Sequence, residues 1–234
     1  MLDTAFEALK KFDWGSDLAA LNPIEDAAIA AHEKPEVGKE LESRLAAALQ
    51  SELSLDAQEY VCRKLAMVGT AAAVPSLATL LVKKEISHMA RFALERIPAA
   101  EASQALRDSL AKVSGPVKIG VISSLGSRRD AAAVPNLAGL LKDGDPAIAR
   151  AAALALGTIG TAESAAALQA AQKTATGNSL NLNDALLSCA EALLASNQLA
   201  DASAIYKAFD QASQPRLIRL AAARGLLACA SKQA

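Results

Sequence analysis

Aromatic residues are scarce in this chain: four Phe, two Tyr and one Trp, 3% of 234 residues. Strands draw on aromatic and β-branched side chains, so a β-sandwich or β-barrel is excluded. The 12 Gly and 8 Pro are too few for a loop-rich or low-complexity polymer. Only three cysteines occur, Cys62, Cys189 and Cys229, far apart and inside apolar helical stretches. An odd count without short spacing excludes a disulfide framework or a zinc site. Cys189 and Cys229 read as small buried hydrophobes. Histidine is limited to His32 and His88. No apolar run approaches the roughly 18 residues of a membrane span, so no membrane insertion is expected. Residues 1–11 lack the basic-then-apolar pattern of a secretory leader. The chain as written is expected to be soluble and cytoplasmic, or extracytoplasmic if a leader has been trimmed.

What is abundant is alanine, about a quarter of the chain, within a hydrophobic content of 52%. That much apolar surface excludes intrinsic disorder and leaves an all-α protein with close, Ala-lined helix contacts. The net charge of −1 hides an asymmetry. Residues 1–59 carry net −8, residues 60–150 net +6 and residues 151–234 net +1. The basic middle offers a surface for an acidic partner, while a pI near 6.2 speaks against a dedicated nucleic-acid binder.

Internal repetition is the strongest signal. The stretch Ala71-Ala72-Ala73-Val74-Pro75-Ser76-Leu77-Ala78-Thr79-Leu80-Leu81 returns at 131–141, with nine of eleven positions identical. Weaker copies lie at Ala100–Leu110 and Ala162–Ala171, and Leu77, Leu106, Leu137 and Leu168 are spaced by 29, 31 and 31 residues. A unit of that length holds two short antiparallel helices and two turns. Second helices are predicted at Asp56–Val68, Ile86–Ile97, Pro116–Leu125 and Pro146–Ile159. Asp145 caps the helix opening at Pro146, and Ser114 or Gly115 the one opening at Pro116. Gly69, Gly126 and Gly160 stand where helices stop and are expected to be left-handed.

The ends depart from the period. Asn22-Pro23-Ile24-Glu25 reads as a capping box, with helices near Pro23–His32 and Pro35–Ser51. Phe6, Phe12 and Trp14 are expected to seal the first exposed face. Lys173–Ser179 reads as a loop, followed by helices at Leu182–Ala195, Ala200–Asp210 and Arg216–Ala230. The expected organisation is an N-terminal helical cap with degenerate repeats at 1–55, repeats at 56–172 and a C-terminal helical cap at 180–234.

The unit Ala-Val-Pro-x-Leu-Ala-x-Leu-Leu, then Asp-Pro-Ala-Ile-Ala-Arg-x-Ala-Ala-x-Ala-Leu-Gly-x-Ile-Gly, resembles the HEAT repeat, in particular the bacterial HEAT-like repeats also found in phycobilisome lyases. Residues 56–171 carry the resemblance. It implies a right-handed α-solenoid, a superhelix of HEAT-like helical hairpins whose second helices line the concave side, with protein binding or scaffolding as the commonest role. Residues 197–210, with Ala202, Ala204, Ile205 and Tyr206, are similar to a tetratricopeptide helix pair. The family resemblance also implies an acid–arginine ladder between units, which Glu85 with Arg91 and Asp145 with Arg150 fit.

The competing reading of these cations is a basic stripe on the concave face, formed by Arg63, Lys64, Arg91, Lys118 and Arg150, with Arg128 and Arg129 at a turn. Such a stripe speeds encounter with an acidic partner. No nucleophile–base–orienter constellation stands out. The pairs Glu40/Glu42 and Asp143/Asp145 read as solvated or capping carboxylates, and His88 as a partly exposed helix residue. Two lone histidines supply no metal site, and no glycine-rich phosphate loop is present. Phycobilin lyase and HEAT-like DNA glycosylase activities lack a pigment groove or an aromatic, basic cleft. The reading drawn from the sequence is a non-enzymatic protein-binding or scaffold module without a cofactor. The alternatives are a polyanion or nucleic-acid binder through residues 60–150, or an accessory, lyase-like subunit of a modifying enzyme.

Overall fold

In the computed structural model, residues 1–174 and 180–233 are described, and side chains at all of these except 180, 181 and 233. Among the described residues every regular element is helical. The chain divides into two compact units, residues 1–124 and 125–234.

The first unit begins with α1 (Leu2–Leu9), a 3₁₀ turn (Leu18–Leu21), α2 (Asn22–Ala30) and α3 (Pro35–Ala48). It continues with α4 (Leu55–Val68), a 3₁₀ turn (Ala71–Ala73), α5 (Val74–Ala78), α6 (Ser87–Arg96), α7 (Ala100–Ser109) and most of α8 (Gly115–Ser127). First helices α3, α5 and α7 make one layer and second helices α4 and α6 the other. Leu41, Leu45, Leu65, Leu77, Leu81, Leu94 and Leu106 are fully buried between the layers. This is an α-solenoid arrangement of stacked helical hairpins. Each hairpin hides its apolar stripe on its neighbours, so none is stable alone.

The second unit holds α9 (Val134–Leu140, entered by a 3₁₀ turn at Ala131–Ala133), α10 (Pro146–Ile159), α11 (Ala162–Thr174), α12 (Leu180–Ala195), α13 (Leu199–Phe209) and α14 (Arg216–Gln233). Small residues set its closest contact: a Cβ on Gly157 would stand 2.6 Å from the Ala185 carbonyl oxygen. The loop expected at 173–179 starts two residues too early, since Lys173 and Thr174 close α11, and its remainder lies outside the described residues.

Local rules place α10 as expected. Asp145 Oδ1 accepts from the Ala147 N–H at 2.8 Å, Pro146 opens the helix, and Gly160 ends it with φ +67°. Three local expectations are corrected. Gly69 is extended (φ −68°, ψ 141°); glycine is needed there because a Cβ would lie 2.4 Å from the Leu65 carbonyl oxygen. Gly126 sits inside α8 rather than after it. No capping box forms at Asn22: Leu21 precedes α2, Asp17 caps the 3₁₀ turn through the Ala19 N–H, and Glu25 reaches away to Lys64.

All three cysteines are free and buried. Among the described residues no helix is long and apolar enough to cross a membrane.

Candidate functional site

The least expected surface residue is Trp14. It is 89% exposed, whereas Phe6 is buried and packs under the Arg44 guanidinium at 4.4 Å, so the N-terminal seal is made without the tryptophan. Trp14 belongs to the turn after α1. Asp13 and Ser16 close that turn, by Ser16 N–H to the Asp13 carbonyl at 2.9 Å and Asp13 N–H to Ser16 Oγ at 3.0 Å. Gly15 takes φ +79°, a conformation glycine adopts without strain. The Ser54 hydroxyl ties the turn to α4 by donating to the Phe12 carbonyl at 2.5 Å while accepting from the Ala57 N–H.

The helical face of α4 facing this turn presents Asp56, Glu59, Tyr60 and Arg63. Together with Phe12, Asp13, Trp14 and Leu18 they line an open pocket of about 360 Å³. The Phe12 and Tyr60 rings lie 6.1 Å apart at 46°, and the Tyr60 hydroxyl donates to the Leu21 carbonyl at 3.4 Å. Glu59 carries Arg63 at 2.6 Å and His88 at 3.8 Å. Three carboxylates against one arginine leave the pocket net negative, with an unpacked indole on its wall. Such a site attracts a cation: an ammonium or guanidinium gains from the aromatic face and from the carboxylates together.

Burial, and secondarily the Glu25 charge, push the Tyr60 phenol up to about 12. Burial does the same at Tyr206, aided by Glu191. Raised acid groups favour folding below their unfolded pKa near 10 and lose that contribution as pH climbs towards 12. Tyrosinate absorbance of the folded chain is therefore expected to rise near pH 12 for both tyrosines, with stability falling between about pH 10 and 12. A normal tyrosine titration near 10 with helix intact would contradict the burial.

A second concavity of about 540 Å³ runs between α5 and α7, floored by Val74, Pro75, Ala78 and Ala105. It exists because α5 has only five residues and its neighbours there are small. Glu101, Asp108 and Lys112 edge it with mixed charge and no aromatic wall, so its chemistry selects little.

Three of the seven cations of the expected basic stripe have internal partners. Arg63 pairs with Glu59, and Lys64 is buried with Glu25, lying 5.1 Å over the Tyr60 ring. Arg91 donates to the Gly120 carbonyl at 3.1 Å and to Ser124 Oγ at 3.3 Å, and Ser124 in turn donates to Glu95 at 2.6 Å. Gly120 makes room for this: a Cβ there would stand 2.5 Å from the guanidinium carbon. Burial lowers the Arg91 pKa, opposed by Glu95. The acid–arginine ladder is thus replaced. Arg91 bridges forward to the next hairpin instead of pairing with Glu85, and the Asp145 carboxylate is occupied as a cap. Arg129 and Arg150 are exposed, Lys118 and Arg128 half-buried.

The Glu40/Glu42 pair is also corrected. Glu40 is exposed beside Arg44, but Glu42 is 3% exposed and accepts from the N–H of Thr70 at 2.6 Å, the Thr70 hydroxyl at 2.9 Å and the Ala73 N–H at 3.1 Å. It caps the following hairpin from inside. Asp143 and Asp145 cap as expected. Among the described residues no group of three or more His, Cys, Asp or Glu could hold a metal ion.

Sequence reasoning misses Asp13, Asp56 and Tyr60 and misplaces Trp14. The available signal is the setting Asp13-Trp14-Gly15-Ser16-Asp17: a polar turn cannot be drawn into a core, so an indole within it stays outside.

Residues 103–179 match the family model of HEAT repeats, so the HEAT resemblance is shown over that stretch. No curated protein matches the chain significantly. Among solved structures it is similar to human deoxyhypusine hydroxylase in complex with glycerol, at 17% identity and TM-score 0.40, over 98% of this chain and 96% of that one. The non-enzymatic scaffold expectation is corrected by this finding, because that protein is named as a hydroxylase. The likeness carries no activity or substrate across.

Proposed function

We propose that this chain recognises a basic segment of a protein partner, seating a lysine or arginine side chain against Trp14 between Asp13 and Asp56. The observation that carries this reading is the 89% exposed indole on the wall of a net-negative pocket. Trp is enriched among the residues that dominate binding energy. The sign is opposite to the acidic partner suggested by the net +6 of residues 60–150, three of whose cations already have internal partners.

The test is calorimetric titration with an amidated hexapeptide of alternating Leu and Arg, against the same peptide with Glu for Arg. The Arg peptide is expected to bind and the Glu peptide not. Removing both pocket charges with Asp13→Asn and Asp56→Asn is expected to weaken binding at least about tenfold, or about 1.4 kcal/mol. Salt is expected to weaken it further as exposed charges are screened. Equal binding of both peptides, or no effect of the double variant, would overturn the reading.

A further inference from the structure

α14 carries apolar residues both on the face it packs and on the face it leaves to solvent. α14 packs on α13 and α12 through Ile218, Ala222, Gly225 and Cys229. Gly225 is required there, because a Cβ would lie 2.3 Å from the Tyr206 ring. The opposite face holds Leu217, Leu220 and Leu227 at 79%, 57% and 72% exposure. Arg216 and Arg224 share that face, with Arg219 on its flank. Residues 211–234 contain three arginines and Lys232 but no carboxylate, a net charge of +4. Among the described residues none of these arginines has a carboxylate partner.

At the other terminus the signs reverse. Residues 1–59 carry net −8, and the Trp14 pocket exposes an indole and Leu18 (59%) beside Asp13 and Asp56. A basic leucine face and an acidic aromatic face on one chain are complementary in both polarity and charge.

We infer that the α14 face is covered by the N-terminal end of a second copy, with an α14 arginine seated at Trp14 and the leucines against Trp14 and Leu18. This rests on reading the Trp14 pocket as a cation site and names its partner. The contact is heterologous: each copy uses a different face, and a pair still has one face of each kind free, so association continues past the dimer.

Sedimentation velocity of the full chain at rising concentration tests this. The wild type is expected to form species larger than dimer, shifting to monomer as salt rises. Leu220→Glu with Leu227→Glu, which disables the α14 face, and Trp14→Ala with Asp56→Arg, which disables the pocket, are each expected to self-associate at least about tenfold more weakly. Mixing the two variants is the decisive arm. Each keeps one intact face, so the mixture is expected to give a heterodimer and nothing larger. Unchanged circular dichroism melts of both variants exclude a folding defect; the conservative pair Leu220→Gln and Trp14→Phe, expected to give intermediate weakening, replaces any variant that melts early. A pocket variant that still dimerises, through two α14 faces, would overturn the inference, as would a wild type monomeric throughout. In that last case, binding of the Leu-Arg hexapeptide would leave the pocket reading standing, and its failure would remove both.

Discussion

Leu137→Ala is expected to lower the free energy of unfolding by about 2–5 kcal/mol, the range for truncating a fully buried leucine. Leu137 is 0% exposed at the centre of α9, a helix of only seven residues. A helix that short does not persist on its own hydrogen bonds; it is held by the side chains it inserts between neighbours. The alanine therefore removes burial and leaves a cavity in a wall already lined with small residues, where few side chains are long enough to refill it. Urea unfolding monitored by circular dichroism measures the effect. Met67→Ala, 56% exposed on α4, is the control, with an expected change within about 0.5 kcal/mol. Equal changes for the two would contradict a core made of interlocking hairpin stripes.

Glu42→Ala is expected to cost about 1–3 kcal/mol, through a different mechanism. The carboxylate accepts from two backbone N–H groups and a hydroxyl at the start of the next hairpin. Deleting it leaves the Thr70 N–H without that acceptor, while the Ala73 N–H keeps only its bond to the Thr70 carbonyl at 3.2 Å, and losing an acceptor of this kind costs about 1–3 kcal/mol. Glu42→Gln keeps a carbonyl oxygen that can accept from one of them and is expected to cost less than half as much. Chemical denaturation of the two variants side by side checks this. If Gln and Ala were equally damaging, the negative charge rather than the accepted hydrogen bonds would be what the site requires.

The legible part of this structure is the part governed by short-range rules. The duplicated Ala-Val-Pro-x-Leu segment locates α5 and α9, and proline, aspartate and glycine at 145–160 locate α10 to the residue, because capping and backbone preference act within one turn. Groups whose partners lie one hairpin away are not legible in the same way. Glu42 is 28 residues from Thr70, Glu25 is 39 from Lys64 and Arg91 is 29 from Gly120. From the sequence Glu25 reads as a cap, Arg91 as a ladder or stripe residue and Glu42 as a solvated or capping carboxylate, because the helix that carries each does not name a partner one hairpin away. The same limit explains the candidate site: Phe12, Trp14 and Tyr60 come from two stretches more than 40 residues apart, and only packing of the turn after α1 against α4 joins them. The expectation of a non-catalytic chain has a related weakness. It rests on missing linear motifs, whereas a repeat array assembles sites from separate hairpins.

Trp14 stands in water beside carboxylates, ready for a cation, and the functional account depends on that placement. It is the single tryptophan of the chain, so its fluorescence reports on that position alone. Emission is expected at the wavelength of fully hydrated indole, fully open to acrylamide quenching. It is expected to shift to the blue and become shielded on titration with the Leu-Arg hexapeptide at low salt, in dilute protein. Blue-shifted, quencher-resistant emission in the free chain, or an unchanged spectrum at saturating peptide, would contradict the account.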